Sequence, residues 1–232
     1  MKALLEGLIQ AIGLILGLDP VLYEIIWFSL YVSGVALTFS ILVGIPLGAF
    51  LGLKRFLGRR IMMALLYTGM GFPPVVIGLF VYLMFSRSGP VGSLGWLFTP
   101  RAIIVAQTII SFPLVAGFTM AAVMGVDPNL RQQLISLGAT AWQATVATLA
   151  EARIGVVVAV IAGFGSIISE VGAVILVGGN IEGKTRTLTT AIVLETGKGN
   201  FDVAMALGVI LLFITFLINL AMIRLQGREF AR

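Results

Sequence analysis

The feature that most restricts the fold of this chain is a set of long apolar runs that carry almost no charge. Four runs contain no charged residue and lie at residues 25–53, 61–86, 102–126 and 203–223. A further run, at residues 154–177, carries a single charge, Glu170. A transmembrane helix needs roughly 20 apolar residues, so each run is long enough to cross a bilayer. The sequence therefore predicts an all-α, polytopic membrane protein with about five transmembrane helices.

Composition excludes several classes of function. The chain is 59% apolar and 11% charged, with a mean hydropathy of +1.10. It has no cysteine and no histidine, which excludes disulfides, thiolate metal sites and imidazole proton relays, and we expect neither a metal nor a cofactor. The net charge of +5 comes from basic residues at the ends of the runs, where lipid headgroups lie. Membrane lipid is therefore the expected partner of these charges, and nucleic acid is not.

The N-terminal stretch differs from the five predicted spans in the length of its apolar run. The uncharged residues 7–18 are too few to cross a bilayer, and Asp19 and Pro20 follow them as a helix stop. We predict an interfacial helix in residues 1–23 and a single transmembrane domain in residues 24–232, with a cytoplasmic segment at about residues 127–151.

Orientation follows from the placement of lysine and arginine. The short loop at residues 54–60 holds four basic residues and no acid, and the C-terminal tail holds three arginines. Such loops remain in the cytoplasm. With five spans, the N-terminus is then outside, and the C-terminus and residues 127–151 are inside.

The cytoplasmic segment contains a helix-prone polar stretch, a glycine and a following apolar helix. It resembles the coupling motif of ABC importer permeases, in which a short cytoplasmic helix fits a cleft of the ATPase subunit. Gln132 and Gln133 replace the more usual glutamate and alanine, and Ala150 and Glu151 replace the usual leucine and proline. The glycine would allow a turn and a close backbone approach. An amphipathic helix lying on the membrane is the alternative. The resemblance implies contact with the ATPase through Gln132, Gln133, Leu134, Gly138, Ala139 and Trp142.

Two further motifs lie inside the apolar runs. Residues 71–78 resemble an element of molybdate and tungstate permeases, and their two prolines break a helix at membrane depth. The expected path or gate residues are Phe72, Pro73, Pro74, Val75 and Gly78, and a kinked packing helix is the alternative.

Residues 169–172 resemble a Gly-Glu-x-Gly-like element of molybdate and sulfate permeases. Ser169, Glu170 and Gly172 are the matching intramembrane residues. A carboxylate in hydrocarbon is costly and needs a hydrogen-bonding partner, so a structural and a gating role are both open. An ionised acid would repel an anionic substrate, which favours the structural role.

The resemblance extends over nearly the whole chain, including residues 178–200. It implies the type I ABC importer permease fold, a bacterial or archaeal inner membrane, and an oxyanion substrate. Tungstate is favoured, with molybdate and sulfate as alternatives. The implied partners are two ATPase subunits, an extracytoplasmic solute-binding protein and a second copy of the chain.

Other classes of protein fit the sequence less well. The chain has no Walker-type phosphate loop, so it is not the ATPase itself, and no nucleophile with a base sits at membrane depth. An enzyme is therefore not expected. A secondary ion-coupled transporter is the alternative from another class, and Glu170 is the single intramembrane ionisable group that could serve it.

Overall fold

The computed structural model describes residues 19–225, together with Gly13 and Gly17, and this part of the chain contains helices and no strand. The prediction of an all-α fold is confirmed. Most of the interfacial segment predicted at residues 1–23 lies outside the described residues, and its last four residues, Pro20 to Tyr23, form the start of the first long helix. The helices are α1 (Pro20–Leu53), α2 (Arg59–Met70), α3 (Pro74–Phe85), α4 (Pro100–Met124), α5 (Pro128–Ser136), α6 (Ala141–Glu151), α7 (Arg153–Ile168), α8 (Gly172–Gly178), α9 (Leu188–Gly197) and α10 (Phe201–Leu225).

Length and hydropathy qualify three of the described helices, α1, α4 and α10, as membrane spans. Two bent pairs, α2 with α3 and α6 with α7, also qualify when each pair is taken as one span, which gives up to five crossings. The apolar run at residues 61–86 is thus divided between α2 and α3, and the run at 154–177 between α7 and α8. The exact span boundaries remain predictions.

The described chain divides into two compact units. The first comprises residues up to Ala36, together with Pro73–Gln107 and Gly165–Leu220. Its core joins the start of α1 to α9 and α10 through six buried apolar side chains, and a buried amide, Gln107 Nε2, donates to the carbonyl oxygen of Ile167. The six are Leu22, Leu188, Ala191, Ala206, Leu207 and Ile210.

The second unit comprises Leu37–Phe72, Thr108–Phe164 and the chain from Ala221 onward. One buried cluster joins α1, α2 and α4 through Leu51, Leu66, Ala116 and Met120. A hydrogen bond of 2.6 Å between the buried hydroxyls of Ser40 and Ser111 adds polar contact between α1 and α4. Interhelical hydroxyl bonds of this kind are a common means of joining membrane helices.

Small residues bring α1 and α4 together within the second unit. Gly44, Gly48 and Gly52 recur at every fourth position and form one stripe of α1. A Cβ on Gly48 would lie 2.4 Å from the carbonyl oxygen of Ala116, so no larger residue fits without moving a backbone. The stripe therefore has the small-xxx-small pattern by which membrane helices approach closely.

Candidate functional site

The predicted coupling segment forms two short helices, each capped by its own side chains. At the start of α5, the Asn129 amide donates to Asp127 Oδ1 at 2.8 Å, and Pro128 occupies the first helical position. At the start of α6, Thr140 and Gln143 form a reciprocal capping box. Capping satisfies the orphan amides of a helix end without help from neighbouring elements. The two helices pack on each other, so the local sequence defines this surface.

Gly138 makes the turn between these helices. Its φ is +92°, in the region that favours glycine, whereas no atom lies within 4 Å of the position that a Cβ would take. The expected turn is therefore observed. The expected close approach of a second backbone is not found among the described residues, so conformation, and not space, requires glycine here.

Several side chains of this segment are exposed to water. Of the residues expected to contact the ATPase, Gln132, Gln133, Gly138 and Trp142 are exposed, whereas Leu134 and Ala139 are half-buried. Trp142 is 74% exposed, and Leu137, which the sequence reading did not single out, is 85% exposed. The sequence could have indicated Leu137 through its position directly before the turn residue, Gly138. Large apolar side chains on a polar segment are typical of a surface that a partner covers.

The two prolines begin a helix and do not kink one. Helix α2 ends at Met70, Pro73 is the residue before α3, and Pro74 is its first residue. Proline fits this position because its missing amide hydrogen would have no partner there. Pro73 and Phe72 are exposed, Pro74 is half-buried, and Val75 is exposed on the first turn of α3.

Glu170 lies at a second break, between α7 and α8. Its Oε1 accepts a hydrogen bond of 2.9 Å from the Ala173 amide in the first turn of α8. Its backbone carbonyl accepts one of 2.9 Å from Thr189 Oγ1. Ser169 Oγ donates to the carbonyl of Gly165 at 2.7 Å, which satisfies a carbonyl near the end of α7. The carboxylate therefore has a partner, as a charged group at membrane depth requires.

The second break lies against helix α3, because α3 and α8 pack together within the first unit. A Cβ on Gly78 would lie 2.5 Å from the Cα of Ala173, and a Cβ on Gly172 would lie 2.5 Å from Val75 Cγ2. Close packing against backbone therefore requires glycine at position 78, whereas a larger residue at position 172 would have to displace the Val75 side chain. Two of the predicted path residues, Val75 and Gly78, thus meet α8, whose first residue Gly172 belongs to the other intramembrane motif, and the sequence did not indicate this contact.

Threonine hydroxyls between residues 185 and 190 form hydrogen bonds to backbone carbonyls of the protein. Thr185 Oγ1 donates to the carbonyl of Gly178 at 2.6 Å, Thr189 Oγ1 donates to Glu170, and Thr190 Oγ1 donates to the carbonyl of Thr187. All of these side chains are buried. Their hydroxyls therefore form hydrogen bonds that join residues 185–190 to α8 and to the break at Glu170 within the first unit.

Side-chain hydrogen bonds also join the C-terminal end of α9 to the residues that follow it. Glu195 accepts hydrogen bonds from Asn200 and Lys198, and the Asn200 bond is the main cause that lowers the pKa of the Glu195 carboxyl below its usual value.

No group of three His, Cys, Asp or Glu side chains within the described residues is placed to hold a metal ion.

The long apolar helices and the two bent helix pairs define a class: a multi-pass α-helical membrane protein. Residues 44–228 match the family described as the binding-protein-dependent transport system inner membrane component, and the chain belongs to this family. It is a permease subunit of an ABC importer in the inner membrane, and it works with a separate ATPase and a solute-binding protein.

Two curated relatives are similar over most of their length. A probable anion ABC transporter permease of Haloferax volcanii is 42% identical over 86% of this chain and 88% of that protein. The tungstate uptake system permease TupB of Peptoclostridium acidaminophilum is 38% identical over 97% of this chain and 99% of that protein.

The fold is also that of a solved importer. The inward-facing MetNI methionine ABC transporter contains a chain that superimposes with a TM-score of 0.73, covering 90% of this chain and 96% of that one at 22% identity. The prediction of an ABC importer permease fold is confirmed.

Proposed function

We propose that this permease carries tungstate into the cytoplasm. The observation that carries the proposal is the identity of 38% with a tungstate uptake permease over nearly the full length of both chains. Similarity to an anion permease supports the wider class of oxyanions. Molybdate is the second candidate and sulfate the third, because the motifs at residues 71–78 and 169–172 resemble those of permeases for these anions as well.

Selection of the anion is assigned to the solute-binding protein. The apolar runs contain no lysine or arginine, so they supply no cationic side chain that could bind a dianion inside the membrane. Tungstate and molybdate are tetrahedral dianions of nearly equal size, and a path without buried cations could hardly separate them. The permease then offers a transient path that the binding protein loads.

Two copies of the chain are proposed to face each other across a two-fold axis, each with one ATPase subunit. Up to five crossings are few for a closed path, and two-fold symmetric dimers are the commonest assemblies of identical chains among soluble proteins. The breaks at α3 and α8 are proposed to line the path, with Phe72, Pro73, Pro74, Val75 and Gly78 nearest the solute. Irregular backbone at membrane depth belongs where it is covered by protein or lines a cavity.

The proposed mechanism moves the coupling segment. Closure of the ATPase pair on ATP draws the two α5–α6 surfaces together and opens the path to the docked binding protein. Hydrolysis returns it to the inward-facing state. Gln132, Gln133 and Trp142 are exposed on this surface and supply its contacts, and Gly138 sets its shape.

Reconstitution tests the proposed substrate. The permease, its ATPase and its binding protein in liposomes are expected to accumulate tungstate only with ATP. Molybdate, sulfate and methionine in the same vesicles are the comparisons, and vesicles without the ATPase are the control. Uptake of methionine alone would overturn the oxyanion proposal, and uptake driven by an ion gradient without the ATPase would favour a secondary transporter.

The proposed orientation places the N-terminus outside and the C-terminus in the cytoplasm. Because the chain has no native cysteine, single cysteines can be labelled with an impermeant thiol reagent. Cysteines replacing the exposed Ser93 and Lys184 are expected to react in intact cells, and those replacing the exposed Lys54 and Gln132 only after the membrane is opened. Labelling of the Gln132 position from outside would invert the topology.

A further inference from the structure

The loop between α1 and α2 is short, basic and held in place. It connects Leu53 to Arg59, at the end of the longest apolar helix described, so it lies at a membrane surface. Within the second unit, Phe56 packs against the cluster around Leu51 and its ring lies 5.2 Å from that of Phe50. Gly58 turns the chain with a φ of +89°. These contacts give the loop a defined shape.

The four cations of the loop have different roles. Arg59 is bound within the protein, because its Nε donates to the carbonyl oxygen of Leu51 at 2.7 Å, near the C-terminal end of α1. Lys54, Arg55 and Arg60 are exposed. No acidic residue occurs between Glu24 and Asp127, and the ion pairs seen in the described chain lie elsewhere, at residues 182–186 and 195–198. Within residues 19–225, these three exposed cations therefore have no acidic partner.

The loop also presents an apolar group and a recess. Leu57 is fully exposed at its tip, which is unfavourable in water and favourable among acyl chains. A surface recess of about 590 Å³ is lined by residues 55–61. Helix α2 begins at this recess, and the partial positive charge of a helix N-terminus attracts an anion. Cations, a helix end and an apolar tip therefore surround one recess.

We propose that the loop at residues 54–60 binds the headgroup of an anionic phospholipid. The guanidinium groups of Arg55 and Arg60 bind the phosphate oxygens, a geometry suited to arginine, and Lys54 adds a point charge. Leu57 enters the acyl region beside the bound lipid. A protein partner is disfavoured because only residues 54–58 lie between helices α1 and α2, so the basic segment remains close to the bilayer surface. This inference does not depend on the transported substrate.

The test is lipid binding by the purified permease, measured by native mass spectrometry with phosphatidylglycerol and, separately, with phosphatidylcholine. The double variant R55Q/R60Q is compared with R87Q/K184Q, which removes two exposed cations from other loops. Each cation near an anionic surface contributes roughly a fivefold factor, so R55Q/R60Q is expected to bind phosphatidylglycerol about 30-fold more weakly. The control variant is expected to bind it like the parent.

Further arms separate the lipid from other ligands. Leu57→Ser is expected to weaken phosphatidylglycerol binding, and millimolar inorganic phosphate is expected not to displace the lipid, because phosphate has no acyl chain for Leu57. The proposal fails if both double variants lose the lipid equally, if R55Q/R60Q retains it, or if phosphate displaces it. Loss of the co-purifying ATPase from R55Q/R60Q with the lipid retained would identify the loop as a protein-docking surface instead.

Discussion

Replacing Gly138 by valine is expected to lower ATP-driven uptake about tenfold while leaving the amount of permease in the membrane unchanged. The glycine has a φ of +92°, which a β-branched residue adopts only at a cost of roughly 1–2 kcal/mol, so the turn between α5 and α6 would change shape. About 1.4 kcal/mol corresponds to a factor of ten in an equilibrium such as ATPase docking. Insertion is unaffected because the turn lies outside the apolar runs. Uptake, membrane abundance and co-purification of the ATPase are the three measurements.

Gly208→Val is the matched control for this experiment. Gly208 lies within α10, has no positive φ and has no atom within 4 Å of its Cβ position, so it shares the open space of Gly138 without its backbone conformation. It is expected to retain uptake. Normal uptake and ATPase binding by Gly138→Val would show that the coupling segment was misidentified.

The parts of the fold that length and local chemistry decide could be predicted from the sequence. Apolar runs predicted α1, α4 and α10, because the width of a bilayer sets a minimum length that few other structures need. Two prolines predicted the break before α3, because neither can donate the backbone hydrogen bond that would continue a helix. The turn at Gly138 was predicted because glycine adopts backbone conformations that other residues adopt only at a cost.

Contacts between distant parts of the chain could not be predicted in the same way. Nothing in the local sequence shows that Gly78 will meet Ala173, or that Gly172 will meet Val75. The division of the run at residues 154–177 was also missed, because apolar residues continue on both sides of it. At this break Glu170 accepts a hydrogen bond from the Ala173 amide, a contact that the apolar pattern does not indicate.

Replacing Glu170 by leucine is expected to lower the folding stability of the permease by about 1–3 kcal/mol. Its Oε1 accepts the Ala173 amide, and leucine would leave that buried donor without a side-chain acceptor. Insertion itself is expected to be unimpaired, since leucine is more favourable than glutamate in hydrocarbon. The two effects are separable: membrane abundance reports insertion, and the thermal unfolding midpoint of the purified protein reports folding.

Two further variants separate the hydrogen bond from the charge at this position. Glu170→Gln keeps an oxygen that can accept from Ala173 and removes the negative charge, so a structural role predicts near-parental stability and uptake. Glu182→Leu removes an exposed carboxylate whose ion pair with Arg186, at 3.0 Å, contributes at most about 1 kcal/mol, and it serves as the control. Parental stability of Glu170→Leu would show that the bond to Ala173 is dispensable. Loss of uptake in Glu170→Gln with unchanged stability would instead assign the carboxylate a role in gating, since the charge, and not the acceptor oxygen, would then be the group that transport requires.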